Sequence, residues 1–205
     1  QGSEAWLKMR AGLPTASEFE NLITPLWKPR EGAGRETYLF QKLAEKLLGA
    51  PLEDHGSSWA MDQGSIREME ARPWFEFATG IKVDRAGFVT TDDDRIGCSP
   101  DGLIGEDGGL ELKCPQPNTH LQYLLAGVVP KQYLAQVHGS MFVTGRKWWY
   151  FLSYSRSFPP LLIKVERDEK VIAAISAAVY SFVADLDEKF AQVMAMGQPA
   201  TPPTA

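Results

Sequence analysis

Apolar positions recur along the chain with two periods, and the switches between them mark out the elements. In ETYLFQKLAEKLLG, Leu39, Leu43 and Leu47 fall every fourth residue and Gly49 follows, which predicts an amphipathic helix with its stop. Residues 62–80 read as helical, with Ile66, Met69, Trp74 and Phe77 as the apolar positions; Pro73 is expected to kink or divide the helix. Thr15-Ala16-Ser17-Glu18 fits a capping box opening a short helix, and Ser17 with Glu20 is a second option. Runs near 81–90, 95–104 and 109–114 read as strands of a meander, the last pair joined by a GEDGG turn. Residues 118–127 and 130–144 follow as helices, KWWYFLSY and PLLIKVER as two strands, and 168–195 as a long amphipathic closing helix. WKPREGAG, from Trp27 to Gly34, reads as an exposed basic loop. This order predicts an α/β chain, a mixed central sheet flanked by helices, with one domain over residues 1–196. The proline-rich tail, 197–205, is expected to be disordered.

Composition changes that picture little. The chain has 205 residues, enough for one domain with a sizeable core, and its 44% hydrophobic and 23% charged content is ordinary for a globular protein. No apolar run approaches the roughly 20 residues of a membrane helix, and a basic-then-apolar leader is not expected from the residues before the first helix. Cys98 and Cys114 make neither a disulfide framework nor a zinc signature, so two reduced thiols in a cytoplasmic protein are expected. The net charge of -5 argues against a protein that coats nucleic acid over its whole surface. It leaves room for a local basic lining around an acidic metal site, because phosphate affinity depends on where lysine and arginine cluster.

The stretch GCSPDGLIGEDGGLELKCP, residues 97–115, does change it. Asp101 ends one apolar run, and Glu111-Leu112-Lys113 lies inside the next. On a strand, Glu111 and Lys113 share a face while Leu112 points the other way, and a hairpin returns Glu111 beside Asp101. Two carboxylates that close repel unless a cation or proton separates them. Hard oxygens from Asp101, Glu111 and a main-chain carbonyl suit magnesium or manganese. Lys113 beside such an ion would orient a bound water, stabilise its hydroxide or lower its proton affinity. A solvated strand face for Glu111 and Lys113, with SPDG as a simple turn, fits the same residues.

Four blocks in order then carry a resemblance: AWLKMRAGLPTASEF, GSIREMEARPWFEF, CSPDGL with GLELKCP, and YLAQVHGSMFVTGRKWWYF. From about Ala5 to about Leu186 the chain resembles the phage lambda exonuclease type of viral recombinase nucleases (YqaJ-like), within the PD-(D/E)xK superfamily. The resemblance implies a restriction-endonuclease-like fold and a 5′-to-3′ exonuclease. It would digest one strand of linear duplex DNA, release 5′-mononucleotides and leave a 3′ single-stranded tail for recombination. It implies Asp101, Glu111, Glu68 and the Leu112 carbonyl as ligands of Mg2+ (or Mn2+), Lys113 as the catalytic lysine, and Gln136 on the attacking water or scissile phosphate. Arg10 and Ser17 match the residues that hold a DNA 5′-phosphate, with Ser99 as a further contact. Met61 or Trp59 is a candidate wedge that separates the last base pair. A ring-shaped homotrimer and a single-strand annealing recombinase partner are implied likewise. Bland uses stay open beside these: an ion pair of Glu68 with Arg72, a surface salt bridge for Arg10, an N-cap for Ser17, core packing for Met61 and Trp59. His120 and His138 match no catalytic group, and Trp148 and Trp149 are expected to pack across a sheet. An endonuclease on the same fold, or a non-catalytic DNA-end-binding module, is the alternative function.

Overall fold

The computed structural model describes residues 3–52 and 70–197. The calls on Trp59, Met61, Glu68 and the tail beyond Gly197 lie outside the described residues. Helix α1 (Glu4–Arg10), a 3-10 turn (Ala16–Asn21) and helix α2 (Ala33–Leu48) come first, followed by helical residues 70–79 (α3). Strands β1 (Val89–Thr90) and β2 (Gly97–Cys98) form a small antiparallel pair. Strands β3 (Gly102–Ile104), β4 (Gly108–Lys113), β5 (Trp148–Ser153) and β6 (Leu161–Glu166) form a mixed sheet in that order, with β4 and β5 parallel and the outer pairings antiparallel. Helices α4 (Pro117–Ala126) and α5 (Lys131–Thr144) make the crossover between β4 and β5, as a parallel pair requires. Helix α6 (Glu169–Ala195) closes the chain, its first turn capped by Asp168.

Alternation along the central strands sorts the two sheet faces. Leu110, Leu112 and Leu152 pack with Ala71 and Phe75 of α3. Trp149 and Phe151 face the other way and pack with Val137 and Met141 of α5. A third cluster joins Phe19, α2, the outer side of α5 and the apolar stripe of α6. Helix α5 is therefore the middle layer, apolar toward the sheet and toward α6 at once.

Several expectations are corrected. The 95–104 run is two strands, interrupted at Ser99-Pro100-Asp101, because proline offers no N–H to a ladder. The 81–90 run contributes only Val89–Thr90 and an isolated bridge from Asp84 to Leu103. Residues 70–79 stay helical on both sides of Pro73, so it does not divide the helix. On that helix Phe75 is fully buried, whereas Phe77 is 90% exposed. Thr15 makes no side-chain cap; its hydroxyl donates to the Glu18 carboxylate instead. The WKPREGAG loop ends early, as α2 already starts at Ala33.

The GEDGG turn is also shorter than expected, because Gly108 and Gly109 are strand residues paired with Trp148 and Trp149. Each indole lies over its partner glycine: a Cβ on Gly109 would stand 2.3 Å from the Trp149 ring. Both tryptophans thus pack within the sheet, as expected, and fill space that side chains on β4 would need. Gly109→Ala is expected to destabilise the fold by about 1–3 kcal/mol through overpacking, read as a lower midpoint in denaturant.

His120 is satisfied, with Nδ1 2.8 Å from Ser153 Oγ and Nε2 3.0 Å from the Pro159 carbonyl. His138, buried on α5 against the edge of Trp27, has no hydrogen-bond partner for Nδ1 among the described residues. Desolvation pulls its pKa below the ordinary imidazole value of 6.5, against the pull of Asp168. The folded chain therefore keeps His138 neutral, and stability drains away as pH falls below that value, where the unfolded chain takes up the proton. His138→Gln is expected to shrink the loss of melting temperature between about pH 7.5 and pH 5.5.

Candidate active site

Strand β4 carries the chemistry because it is central and its two faces differ. Its Leu110 and Leu112 side chains are in the α3 core, so Glu111 and Lys113 must face α5. Glu111 is 2% exposed. Its Oε1 lies 2.6 Å from Lys113 Nζ and accepts from Gln136 Nε2 of α5 at 2.5 Å. Asp101 immediately precedes β3, and one step beyond the Gly102–Leu110 register puts it opposite Glu111. Its Oδ2 accepts the Leu112 N–H at 2.7 Å, which ties the interrupted strand to β4. Arg72 of α3 donates to the Asp101 main-chain carbonyl.

Burial pushes the Asp101 carboxyl above the usual carboxylate range, against the Leu112 N–H and the charges of Lys113 and Arg72. Burial pulls the Lys113 ammonium down, but Glu111 and Asp101 together raise it well above an ordinary lysine. The Lys113 ammonium also lies 4.9 Å from the centre of the Tyr133 ring. Desolvation raises the Cys98 thiol, so Cys98 is a buried apolar group without nucleophilic use, and neither cysteine is in a disulfide.

The same cleft, of about 210 Å³, is also lined by Trp6, Arg10, Ser17 and Ser99. The Arg10 guanidinium lies 4.5 Å over the Trp6 ring, and the Trp6 indole N–H donates to Ser99 Oγ at 2.9 Å. Trp6 and Arg10 meet because they are four apart on α1. One cavity therefore gathers Asp101, Glu111, the main chain of Leu112, Lys113, Gln136, Arg10, Ser17 and Ser99. The solvated-face alternative for Glu111 does not fit its burial.

The residue reading passed over Tyr133, Ser140 and Trp6, which line or touch the same cleft. A signal existed for all three: Tyr133 and Ser140 fall three before and four after Gln136 on one helix, and Trp6 falls four before Arg10 on another. The donor set fits a hard divalent cation, with two carboxylates and a main-chain carbonyl at a partly water-accessible cleft. Among the described residues no third acidic, histidine or cysteine ligand joins Asp101 and Glu111. No helix among the described residues is long and apolar enough to cross a membrane.

Comparison with known proteins bears on the fold and the family. An alkaline exonuclease of Laribacter hongkongensis, LHK-Exo, crystallised with dAMP, superposes with a TM-score of 0.86 at 30% identity, covering 95% of this chain and 97% of that one. A phage-related exonuclease of Haemophilus somnus 129PT shares the fold, with a TM-score of 0.68 at 12% identity over 88% and 96% of the two chains. ExoD of Escherichia coli (strain K12), an uncharacterised protein, is 31% identical over 78 residues, 36% of this chain and 90% of that protein. Residues 5–147 match the YqaJ-like viral recombinase domain, and the chain belongs to that family.

Proposed function

We propose that this chain is a magnesium-dependent 5′-to-3′ exonuclease that digests one strand of linear duplex DNA. It would release 5′-mononucleotides and leave a 3′ single-stranded tail. Family membership and the match to an alkaline exonuclease support a DNA exonuclease of the recombinase type. The observation that carries the proposal is the single cleft lined both by a carboxylate–lysine centre and by an arginine with two serines. Magnesium, or manganese in its place, would be held by Asp101, Glu111 and the Leu112 carbonyl and would neutralise charge on the scissile phosphate. Lys113 and Gln136, both on Glu111 Oε1, present N–H donors to the same point and would orient the attacking water. The Arg10 guanidinium, stiffened on the Trp6 ring, would pair with a terminal 5′-phosphate, with Ser17 and Ser99 hydroxyls as further donors. The relative crystallised with dAMP supports a deoxynucleoside monophosphate as product. A homotrimeric ring and a single-strand annealing partner belong to the same proposal and rest on the resemblance.

Lys113→Ala is expected to lower digestion of a 5′-phosphorylated linear duplex in magnesium by about a hundredfold or more, followed as acid-soluble nucleotide. The wild type is expected to leave a covalently closed circle uncut, and cutting it would make the enzyme an endonuclease. Arg10→Ala is expected to slow 5′-phosphorylated ends to the rate on 5′-hydroxyl ends, about tenfold or more. An equal loss on both substrates would remove Arg10 from end recognition.

A further inference from the structure

Beneath the Arg10 end of the cleft lies a chain of buried charges that the proposed reaction does not use. Lys42 and Glu45 sit on the inner side of α2, only 3% and 4% exposed. Charged side chains are rarely buried so deeply, and a buried charge that loses its partner is costly. The Lys42 ammonium lies 3.0 Å from Glu45 Oε2 and 3.1 Å from Glu18 Oε2. Two carboxylates thus share one lysine.

Each carboxylate holds part of the segment that carries Arg10 and Ser17. Glu45 Oε2 accepts the Gly12 main-chain N–H at 2.9 Å. Gly12 has φ +73, and a Cβ there would stand 2.8 Å from the Lys46 backbone, so the turn after α1 is pressed directly onto α2. Glu18 Oε2 accepts from the hydroxyls of Thr15 at 3.1 Å and Tyr38 at 3.3 Å, and Tyr38 Oη accepts the Thr15 N–H at 3.3 Å. The Thr15 hydroxyl has one proton. With that proton given to Glu18, its oxygen meets Arg10 Nη2 at 3.4 Å as an acceptor and stands 3.3 Å from Ser17 Oγ.

We propose that Lys42 is a positioning residue for recognition of a phosphorylated DNA end. By holding Glu18 and Glu45 it sets where Thr15 and Gly12 sit, and so how Arg10 and Ser17 face a 5′-phosphate. The inference rests on the reading of Arg10 and Ser17 as the phosphate-binding pair. Without the ammonium, the buried Glu45 and the half-buried Glu18 lose the positive charge they share. The released Glu18 then competes with phosphate for Arg10, its neighbour across Thr15.

The experiment compares kcat/KM on one linear duplex with 5′-phosphate and with 5′-hydroxyl ends, in magnesium, for the wild type, Lys42→Met and Thr15→Val, with a thermal melt of each. The wild type is expected to prefer the phosphate. Lys42→Met is expected to cut that preference about tenfold, and Thr15→Val to cut it in the same direction while Lys42 stays paired. A residue that only holds the fold together would lower both rates alike and leave the ratio unchanged. An unchanged ratio in both variants overturns the proposal. If Lys42→Met does not fold, the ratio for Thr15→Val decides alone. A wild type without preference fails at an earlier step, since Arg10 and Ser17 then bind no terminal phosphate, and the role of Lys42 falls with them.

Discussion

A carboxylate on the central strand of a buried sheet has to be met by donors or a cation, and Glu111 is that carboxylate. Strand β4 pairs on both edges, so the backbone around Glu111 is committed to the ladders and cannot shift to relieve it. Its donors come from one residue on the same strand, Lys113, and one on the crossover helix, Gln136. Asp101 is then drawn beside them by the Leu112 N–H. The arrangement concentrates two carboxylates and an ammonium where apolar side chains would be expected, which is a poor use of a core position unless the charges do chemistry.

Helix α5 makes that arrangement possible. It is largely apolar on the sides that meet the sheet and α6, and it turns Gln136 and Ser140 onto the cleft. The small pair β1–β2 and the 3-10 turn pack against α5, and Gly97 of β2 is bridged to Thr15. The segment bearing Arg10 and Ser17 is therefore fastened at two places, to β2 through Pro14 and Thr15 and to α2 through Glu45 and Glu18. The Glu111–Lys113 centre and the Arg10–Ser17 segment sit on different elements, yet neither can move far without the other.

Acidic overall charge and a basic function meet here without conflict. The cations that matter are few and placed: Arg10 over Trp6, Lys113 beside Glu111, and Arg72 on the Asp101 carbonyl. The net charge of -5 reflects the rest of the chain, including exposed Asp92, Asp93 and Asp94, which lie away from the cleft. Local clustering, and not the total, sets phosphate affinity.

The sequence by itself determined the helices with long apolar repeats, the strands β4 to β6 and the face shared by Glu111 and Lys113. These follow from periodicity, which depends only on near neighbours. It also carried the placement of Asp101, Gln136 and Arg10 through a resemblance spread over four blocks. Only the tertiary structure decided that the 95–104 run breaks at Pro100, that the strand reaches back to Gly108 with two indoles over its glycines, and that Phe75 is buried where Phe77 is not. It alone brought Lys42, Glu45 and Glu18 together under Arg10, because α2 and the 3-10 turn meet only after the chain has folded back on itself. Contacts between distant segments depend on shape and burial, and no local pattern records them.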